Sequence, residues 1–297
     1  MIDLMLLPFV ACLVLVGIHA YLGIHVVERG VIFVDLALAQ IAALGAISGA
    51  LMGFPLHSSQ AYFMSLGFTF VGAAVFALTR FRESEIPQEA TIGIAYVVAA
   101  ATAILVLDRI PGESEHIKEM LVGNILFVDW RELSKIAALY GVIGLFHYVC
   151  RERFILISCD PDKAAEKGIS VRLWDFLFYV TFGFVVTHSV ELAGVLLVFS
   201  FLIIPAVCAI LFTKDFRKRL AIGWIAGSLT SLAGIYASGR WDLPTGAAVV
   251  CCFGLLVIGC GTAKCLLSAL QRPMARGKGG DPFGKGAVEM SHPGMSD

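Results

Sequence analysis

The chain has 297 residues, of which 58% are hydrophobic and 15% are charged, and its mean hydropathy is +0.85. Soluble domains average about 45–50% apolar and about 25% charged residues, so this composition excludes a soluble globular protein and indicates a polytopic membrane protein. The formal net charge of −1 provides no excess of basic residues, and no nucleic-acid partner is expected.

Nine apolar runs are long enough to cross a hydrocarbon core about 30 Å thick. Each is predicted to form one helix of the lipid bilayer, near residues 6–27, 31–53, 61–80, 89–107, 133–150, 176–190, 193–212, 219–238 and 243–266. The run at 176–190 is short, so eight spans are the alternative. The predicted fold is an all-α polytopic membrane bundle of about eight to nine transmembrane helices within residues 1–271.

The two ends of the chain differ in character. The first apolar run has no basic flank and no small-residue cleavage pattern, so we interpret it as a span and not as a removed signal. Residues 272–297 are polar and rich in Gly and Pro, and we predict a disordered cytoplasmic tail. Its stretch GGDPFGKG lacks the Ser or Thr that would hold magnesium in a phosphate-binding loop. No nucleotide site, cofactor or disulfide is expected in the chain.

The longest charge-rich segment between two strongly apolar runs is 151–175. Asp160 can cap a helix that begins at Pro161, and Gly168 can supply the left-handed residue that ends it, so a two-turn helix is predicted over 161–167. A short rigid helix at the membrane surface offers a soluble partner something to bind, and an ordinary basic loop is the alternative. The basic residues of the segment are Arg151, Arg153, Lys163, Lys167 and Arg172.

Basic residues beside membrane spans collect on the cytoplasmic side. If 151–175 is cytoplasmic, alternation of the spans places the N-terminus outside, the C-terminus inside and the segment 109–131 outside. The same alternation places further basic residues inside, namely Arg80, Arg82, Lys214, Arg217, Lys218, Arg219 and those of 264–285. The charge pattern is therefore consistent along the whole chain.

Among the polar residues of the first two spans, four are candidates for a substrate pathway: His19, His25, Asp35 and Gln40. A buried Asp costs about 2.5–3.5 kcal/mol on insertion scales, and such residues usually face the interior of the bundle. A hairpin turn through Glu28–Gly30 sets His19 and Gln40 roughly 12–13 Å from the cytoplasmic edge, and His25 and Asp35 roughly 3–6 Å from it. Imidazole and carboxylate groups suit zinc, manganese or iron, which makes His25 and Asp35 candidate metal ligands. Hydrogen-bonded structural histidines are the alternative.

Two further places are candidates for a substrate pathway. Pro205 sits within a span and frees the carbonyl of Phe201, which indicates either a pathway lining or a packed kink. His188 and Glu191 are three residues apart near the predicted outer surface. They could receive a cation there, or they could be solvated loop residues.

Small residues at four-residue spacing let helix backbones approach closely in lipid, and structural contact is their favoured interpretation. They are Gly45, Gly49 and Gly53 in one run, and Gly223, Gly227 and Ser231 in another.

Six stretches along the chain share one family pattern. They are GVIFVDLALAQIAALGAISGAL (30–51), EATIGIAYVVAAATAILVL (89–107), LVGNILFVDW (121–130), DPDKAAEKGI (160–169), GVLLVFSFLIIPA (194–206) and WDLPTGAAVV (241–250). In this order they resemble the permease subunits of bacterial ABC importers for zinc, manganese and iron, over most of residues 10–265.

The resemblance implies a multi-pass permease of the cell (inner) membrane that takes up a metal ion or a metal chelate. Its partners would be a second copy of the permease, two cytoplasmic ABC ATPase subunits and an extracytoplasmic metal-binding protein. The ATPases, and not this chain, would be the enzyme. The segment 160–169 matches the coupling helix that docks in the ATPase, which assigns that role to Asp160, Pro161, Ala164, Ala165 and Gly168.

The second span departs from the pattern of this family. Members typically read G-D-A-L-S-H, whose Asp and His belong to the metal path. Aligned without a gap, this chain has Asp35 at the Gly position, Leu36 at the Asp position and Gln40 at the His position. The family's metal ligands therefore do not carry over to this chain.

Two other classes of membrane protein are alternatives to the ABC permease. An ion-coupled secondary transporter of a metal or small polar solute would need no ATPase, but such proteins commonly show internal repeats and paired broken helices. An intramembrane enzyme would need a constellation such as H-E-x-x-H, which the sequence lacks.

Overall fold

The computed structural model describes residues 2–55, 58–80, 87–107, 109–110 and 125–271. Within them the chain forms eleven α-helices and one turn of 3₁₀ helix, Ile125–Phe127. The α-helices are α1 (Ile2–Glu28), α2 (Val34–Leu51), α3 (Ser59–Leu78), α4 (Gln88–Leu107), α5 (Trp130–Val149), α6 (Arg151–Cys159), α7 (Pro161–Glu166), α8 (Val171–Ala193), α9 (Val195–Phe212), α10 (Phe216–Trp241) and α11 (Thr245–Gln271).

Every predicted span coincides with one of the long helices, and the all-α membrane bundle is confirmed. Eight described helices are long and apolar enough to cross a membrane. Helix α5 adds a ninth when it is taken together with α6, to which it is bent by 75°. The doubt about the run at 176–190 was misplaced, because that run belongs to the 23-residue helix α8. The choice between eight and nine spans instead depends on α5.

The long helices pack in two groups. Helix α2 packs against α3, α4 and α8, and α3 also packs against α8. Helix α1 packs against α9 and α10, which also contact α11. Large aromatic side chains such as Phe178, Phe182 and Phe201 are fully buried in the core. Helices α4 and α11 expose most of their apolar surface, including Leu105 and Leu255, as expected of helices that face lipid.

Small residues mark the closest approaches between helices, as predicted. A Cβ added to Gly45 would lie 2.8 Å from the Met64 carbonyl oxygen of α3. Gly223 and Gly227 of α10 face Pro205 of α9, which is buried where the two helices meet. Gly53 differs, since it lies beyond the end of α2. The sequence does not predict the tightest backbone approach to a described glycine, in which the carbonyl of Leu202 lies against α1 where Gly23 has no side chain.

The segment 151–175 is folded almost throughout. It contains α6, α7 and the first residues of α8, which begins five positions before the predicted span, at Val171. Other predictions fall outside the described residues: the fold of 111–124 within the outer segment, the position of Arg82, and the tail 272–297.

Candidate functional site

Helix α7 has the caps that the sequence predicts. Asp160 Oδ1 accepts a hydrogen bond from the backbone N–H of Lys163 at 3.1 Å. At the other end, Gly168 has φ +74 and donates its N–H to the carbonyl of Ala165, while Ile169 donates to Ala164. These two bonds make a Schellman ending, which requires a left-handed residue at Gly168. The helix ends at Glu166, one residue earlier than predicted.

One side of α7 rests on the bundle and the other faces outward. Ala164 is fully buried, whereas Asp162, Lys163, Ala165 and Glu166 are exposed. Hydrogen bonds from the side chain and backbone of Lys163 lower the pKa of Asp160, so the cap stays ionised at neutral pH. The outward side is therefore a short, charged helical surface with a fixed conformation.

A buried cluster of charges lies beside the segment that carries α7. Arg29, just after α1, donates to Asp175 of α8 and, through Nε, to Ser158 Oγ of α6 at 2.9 Å. Arg80, after α3, donates to both carboxylate oxygens of Asp175 at 2.7 Å. The cluster thus joins the ends of α1, α3, α6 and α8 at one end of the bundle.

The two histidines of α1 are fully buried, and each uses one ring nitrogen. His19 Nδ1 donates to the carbonyl of Leu15 at 2.8 Å, and His25 Nδ1 is 2.8 Å from Ser158 Oγ. Arg29 Nε can only donate to Ser158 Oγ, which leaves the hydroxyl proton free to donate to His25. In both histidines Nε2 has no partner in the described part of the chain.

A third buried histidine, His147 of α5, was not predicted as a site residue. Its Nδ1 is 3.3 Å from the Tyr21 hydroxyl, its Nε2 is 2.8 Å from Thr181 Oγ1, and its ring stacks on Phe154 at 4.2 Å between centroids. With both nitrogens engaged, His147 fits a structural role between α1, α5 and α8.

Asp35 and Glu89 bring two carboxylates to the beginning of α2. Asp35 lies in the first turn and is 2% exposed, and Glu89 Oε1 accepts a hydrogen bond from the N–H of Phe33 at 3.0 Å. Asp35 Oδ1 and Glu89 Oε2 are buried with no hydrogen-bond partner among the described residues. A carboxylate oxygen in this state can accept a proton or a cation. Gln40 is half-buried further along the same helix.

A pocket of about 330 Å³ opens at the other end of the bundle, between α3, α5 and α8. It contains the predicted pair His188 and Glu191 and adds Tyr62, Glu132 and Lys135. His188 Nδ1 donates to the carbonyl of Phe184, and its Nε2 is 3.0 Å from the Tyr62 hydroxyl. A cation that bound to Nε2 would have to displace that hydroxyl.

The predicted site residues thus fall into separate places. His25 lies against α6, while Asp35 lies at the start of α2 near Glu89, so the two candidate metal ligands have different neighbours. In the described part of the chain, no three His, Cys, Asp or Glu side chains form a group that could hold a metal ion. Pro205 is packed against α10.

Sequence reasoning missed Arg29, Arg80 and Asp175 as one cluster. Arg29 lies in the predicted hairpin turn and Asp175 at the end of the charge-rich segment 151–175, and neither position by itself predicts an ion pair. A signal was available, because Asp175 is followed at once by an apolar run. An acidic residue at the end of a span calls for a basic partner at the same end of the bundle.

Three comparisons with known proteins agree with this fold. The "Probable iron transport system membrane protein" of Haemophilus influenzae is 26% identical over 78% of this chain and 83% of that protein. The "Manganese transport system membrane protein MntC" of Halalkalibacterium halodurans is 26% identical over 80% of each chain. The solved structure of PsaBC from Streptococcus pneumoniae in complex with Fab superposes with a TM-score of 0.70 at 19% identity, covering 86% of this chain and 89% of that one.

The match to a protein family extends over almost the whole bundle. Residues 1–262 match the ABC 3 transport family, from the first residue of the chain into α11. Together with the helical bundle described above, this match assigns the chain: it is a membrane permease that belongs to the ABC 3 transport family.

Proposed function

We propose that this chain is the permease subunit of an ABC importer that carries a divalent transition-metal ion, namely zinc, manganese or iron, or a chelate of one, into the cell. It works as a homodimer with two cytoplasmic ATPase subunits and receives its substrate from an extracytoplasmic metal-binding protein. The chain itself supplies the pathway, and its partners hydrolyse ATP.

The observation that carries the proposal is helix α7. A six-residue helix has little stability of its own, but the Asp160 cap, the Gly168 ending and the buried Ala164 hold it in one conformation. Its outward side is exposed, as a surface that accepts an ATPase must be. Energy reaches the chain through this surface in the proposed mechanism.

The substrate class follows from family membership and from the relatives. The two relatives described above are named for iron and manganese transport. In this chain the candidate pathway residues on α1 and α2 are His19, His25, Asp35 and Gln40, whose imidazole and oxygen donors suit such ions. At the opposite end, the pocket of His188 and Glu191 would receive the ion from the binding protein.

The test reconstitutes the wild-type permease with its ATPase and binding protein in liposomes and measures uptake of radioactive Mn²⁺, Fe²⁺ and Zn²⁺ with and without ATP. We expect uptake of at least one metal that depends on ATP and on the binding protein. Uptake without ATP that follows an ion gradient would instead identify a secondary transporter.

A variant tests the role of α7. Gly168→Val puts a β-branched side chain at φ +74, where it is sterically costly, so α7 should end at a different angle. We expect the complex to assemble less well, or to lose the stimulation of ATP hydrolysis that the loaded binding protein gives.

The matched control is Gly254→Val, the same change in α11 at a position where an added Cβ meets no atom within 4 Å. It should leave assembly, stimulated hydrolysis and uptake at the wild-type level. Wild-type behaviour of Gly168→Val in all three measurements would show that α7 is not the coupling element.

A further inference from the structure

We propose that Arg29 transmits movement of α7 to α1, because its one side chain joins the end of α1 to both flanks of the segment that carries α7. We call Arg29, Ser158 and Asp175 the Arg29 junction. The inference rests on the proposed function, in which an ATPase moves α7, and it assigns to Arg29 a positioning role in coupling.

The contacts define the junction. Arg29 Nε donates to Ser158 Oγ at 2.9 Å, and Nη1 donates to Asp175 Oδ1. The guanidinium carbon lies 4.0 Å from the centroid of the Phe178 ring, which fixes the plane of the group. Ser158 lies two positions before the α7 cap Asp160, and Asp175 lies near the start of α8, after α7. The chain between them is therefore anchored at both ends by one residue.

Burial makes the junction stiff. The side chains of Arg29 and Asp175 are 0% and 1% exposed, so a broken contact would not be replaced by bulk water. Separating them would leave the buried Arg29 guanidinium without its carboxylate, which is strongly unfavourable. The planar guanidinium holds two partners in a fixed geometry, as a lysine cannot. A displacement of α7 should consequently move the ends of α6, α8 and α1 together.

The junction reaches the candidate pathway directly. The Ser158 hydroxyl that Arg29 contacts also bonds to His25 Nδ1, one turn earlier on α1. His19 lies on the same helix, closer to its N-terminus than His25. A shift of the α7 surface is thereby passed to the helix that carries both buried histidines.

Arg80 provides a matched control within the same cluster. It binds both oxygens of Asp175, but it comes from the end of α3. Two described arginines share one carboxylate, so loss of either leaves Asp175 with one opposite charge. Arg29→Gln and Arg80→Gln thus make the same change in net charge, but only Arg29→Gln removes the guanidinium contacts to Ser158 and Asp175. The hydrogen bond between His25 and Ser158 is common to both variants.

The experiment measures metal taken up per ATP hydrolysed, in liposomes that contain permease, ATPase and binding protein, for Mn²⁺, Fe²⁺ and Zn²⁺. For the metal that the wild type carries, we expect Arg29→Gln to hydrolyse ATP while this ratio falls roughly tenfold, within the usual range of coupling energies. Arg80→Gln should stay within about twofold of the wild type. Equal ratios for the two variants would overturn the inference.

Two more variants separate positioning from folding. Arg29→Lys keeps the positive charge but loses the planar guanidinium that binds two partners, so it should behave like Arg29→Gln. A wild-type ratio in this variant also counts against the inference. Ser158→Ala removes the contacts of the hydroxyl with Arg29 and His25 without changing any charge, and its ratio should fall by a smaller factor. If Arg29→Gln does not assemble, Ser158→Ala provides the test. A wild-type ratio of metal taken up per ATP hydrolysed in that variant would reject the role of the Arg29 junction.

A further measurement distinguishes failure of the proposed function from failure of the Arg29 junction. If the wild type itself takes up none of the three metals with ATP, the function is wrong, and amide hydrogen exchange then tests the junction alone. Arg29→Gln should raise exchange in residues 159–168 by roughly tenfold, and Arg80→Gln should not. Equal exchange in the two variants would reject the junction without reference to transport.

Discussion

At the scale of single residues, Asp35 is buried at the start of α2, and one of its carboxylate oxygens lacks a partner among the described residues. Such an oxygen is costly to keep in an apolar surrounding unless something binds to it at some stage of the cycle. In the proposed transporter, the passing cation is the natural occupant. Gln40 lies five positions further along α2 and offers a neutral oxygen.

We therefore expect Asp35→Ala and Gln40→Ala each to lower metal uptake in the reconstituted complex while assembly survives. The loss for Asp35 should be roughly tenfold, as for one lost contact of about 1.4 kcal/mol. Ser48→Ala is the control, since that hydroxyl donates only locally, to the carbonyl of Leu44 in the same helix. Normal uptake by the Asp35→Ala, Gln40→Ala double variant would remove both residues from the pathway.

Whether the contacts of a residue could be predicted depends on how far away its partners lie in the sequence. The ends of α7 were predicted because Asp160, Pro161 and Gly168 act on backbone groups a few positions away. The Arg29 junction joins residues far apart in the chain, and the composition of their own neighbourhoods does not pair them. The roles of the predicted pathway residues remain predictions.

At the scale of whole helices, the contact between α1 and α9 depends on the absence of a side chain. A Cβ on Gly23 would overlap the carbonyl oxygen of Leu202 and lie 3.3 Å from the Cβ of Ala206. Because a backbone carbonyl cannot turn aside as a side chain can, α1 and α9 would have to separate.

We expect Gly23→Ala to destabilise the purified protein by about 1–3 kcal/mol, as overpacking does. Denaturation of the detergent-solubilised chain by sodium dodecyl sulfate, followed by tryptophan fluorescence, measures the change. Gly17→Ala, in the same helix but with open space at its Cβ, should be neutral or stabilising by up to about 1 kcal/mol. Equal stability of the two variants would show that the close approach does not matter.

Helices were predicted well because an apolar run of sufficient length has few alternatives in a bilayer. Their ends were predicted less well, and α8 is the clearest case. Arg172 and Asp175 look like loop residues, yet both lie within the helix that begins at Val171. Asp175 is tolerated there because Arg29 and Arg80 bind it. These two basic partners follow other helices, α1 and α3, so the sequence around Asp175 does not predict them.

At the scale of the whole molecule, charged contacts collect at one end. Arg29 and Arg80 meet Asp175 there, and Arg219 of α10 meets Glu28 of α1. The ends of α1 and α3 and the starts of α8 and α10 therefore share one side of the bundle. Such an excess of basic residues is typical of the cytoplasmic side.

We expect α7 to face the cytoplasm and residue 131 to face outward. Both exposed positions are tested as single cysteines, Lys163→Cys and Arg131→Cys, after replacement of the native cysteines. A membrane-impermeant maleimide should label only Arg131→Cys in intact spheroplasts and both variants after permeabilisation. Labelling of Lys163→Cys from outside would reverse the proposed orientation, with the N-terminus outside and the C-terminus inside.

The position of α1 between α9 and α10 has a consequence for biogenesis. Helix α1 leaves the ribosome well before its main neighbours, α9 and α10. At about 5–20 residues per second, α1 must reside in the bilayer for roughly ten seconds or longer before α9 emerges. During that interval the bare backbone at Gly23 lacks the α9 contact that covers it in the folded bundle. Helix α1 is thus made well before the two helices that enclose it.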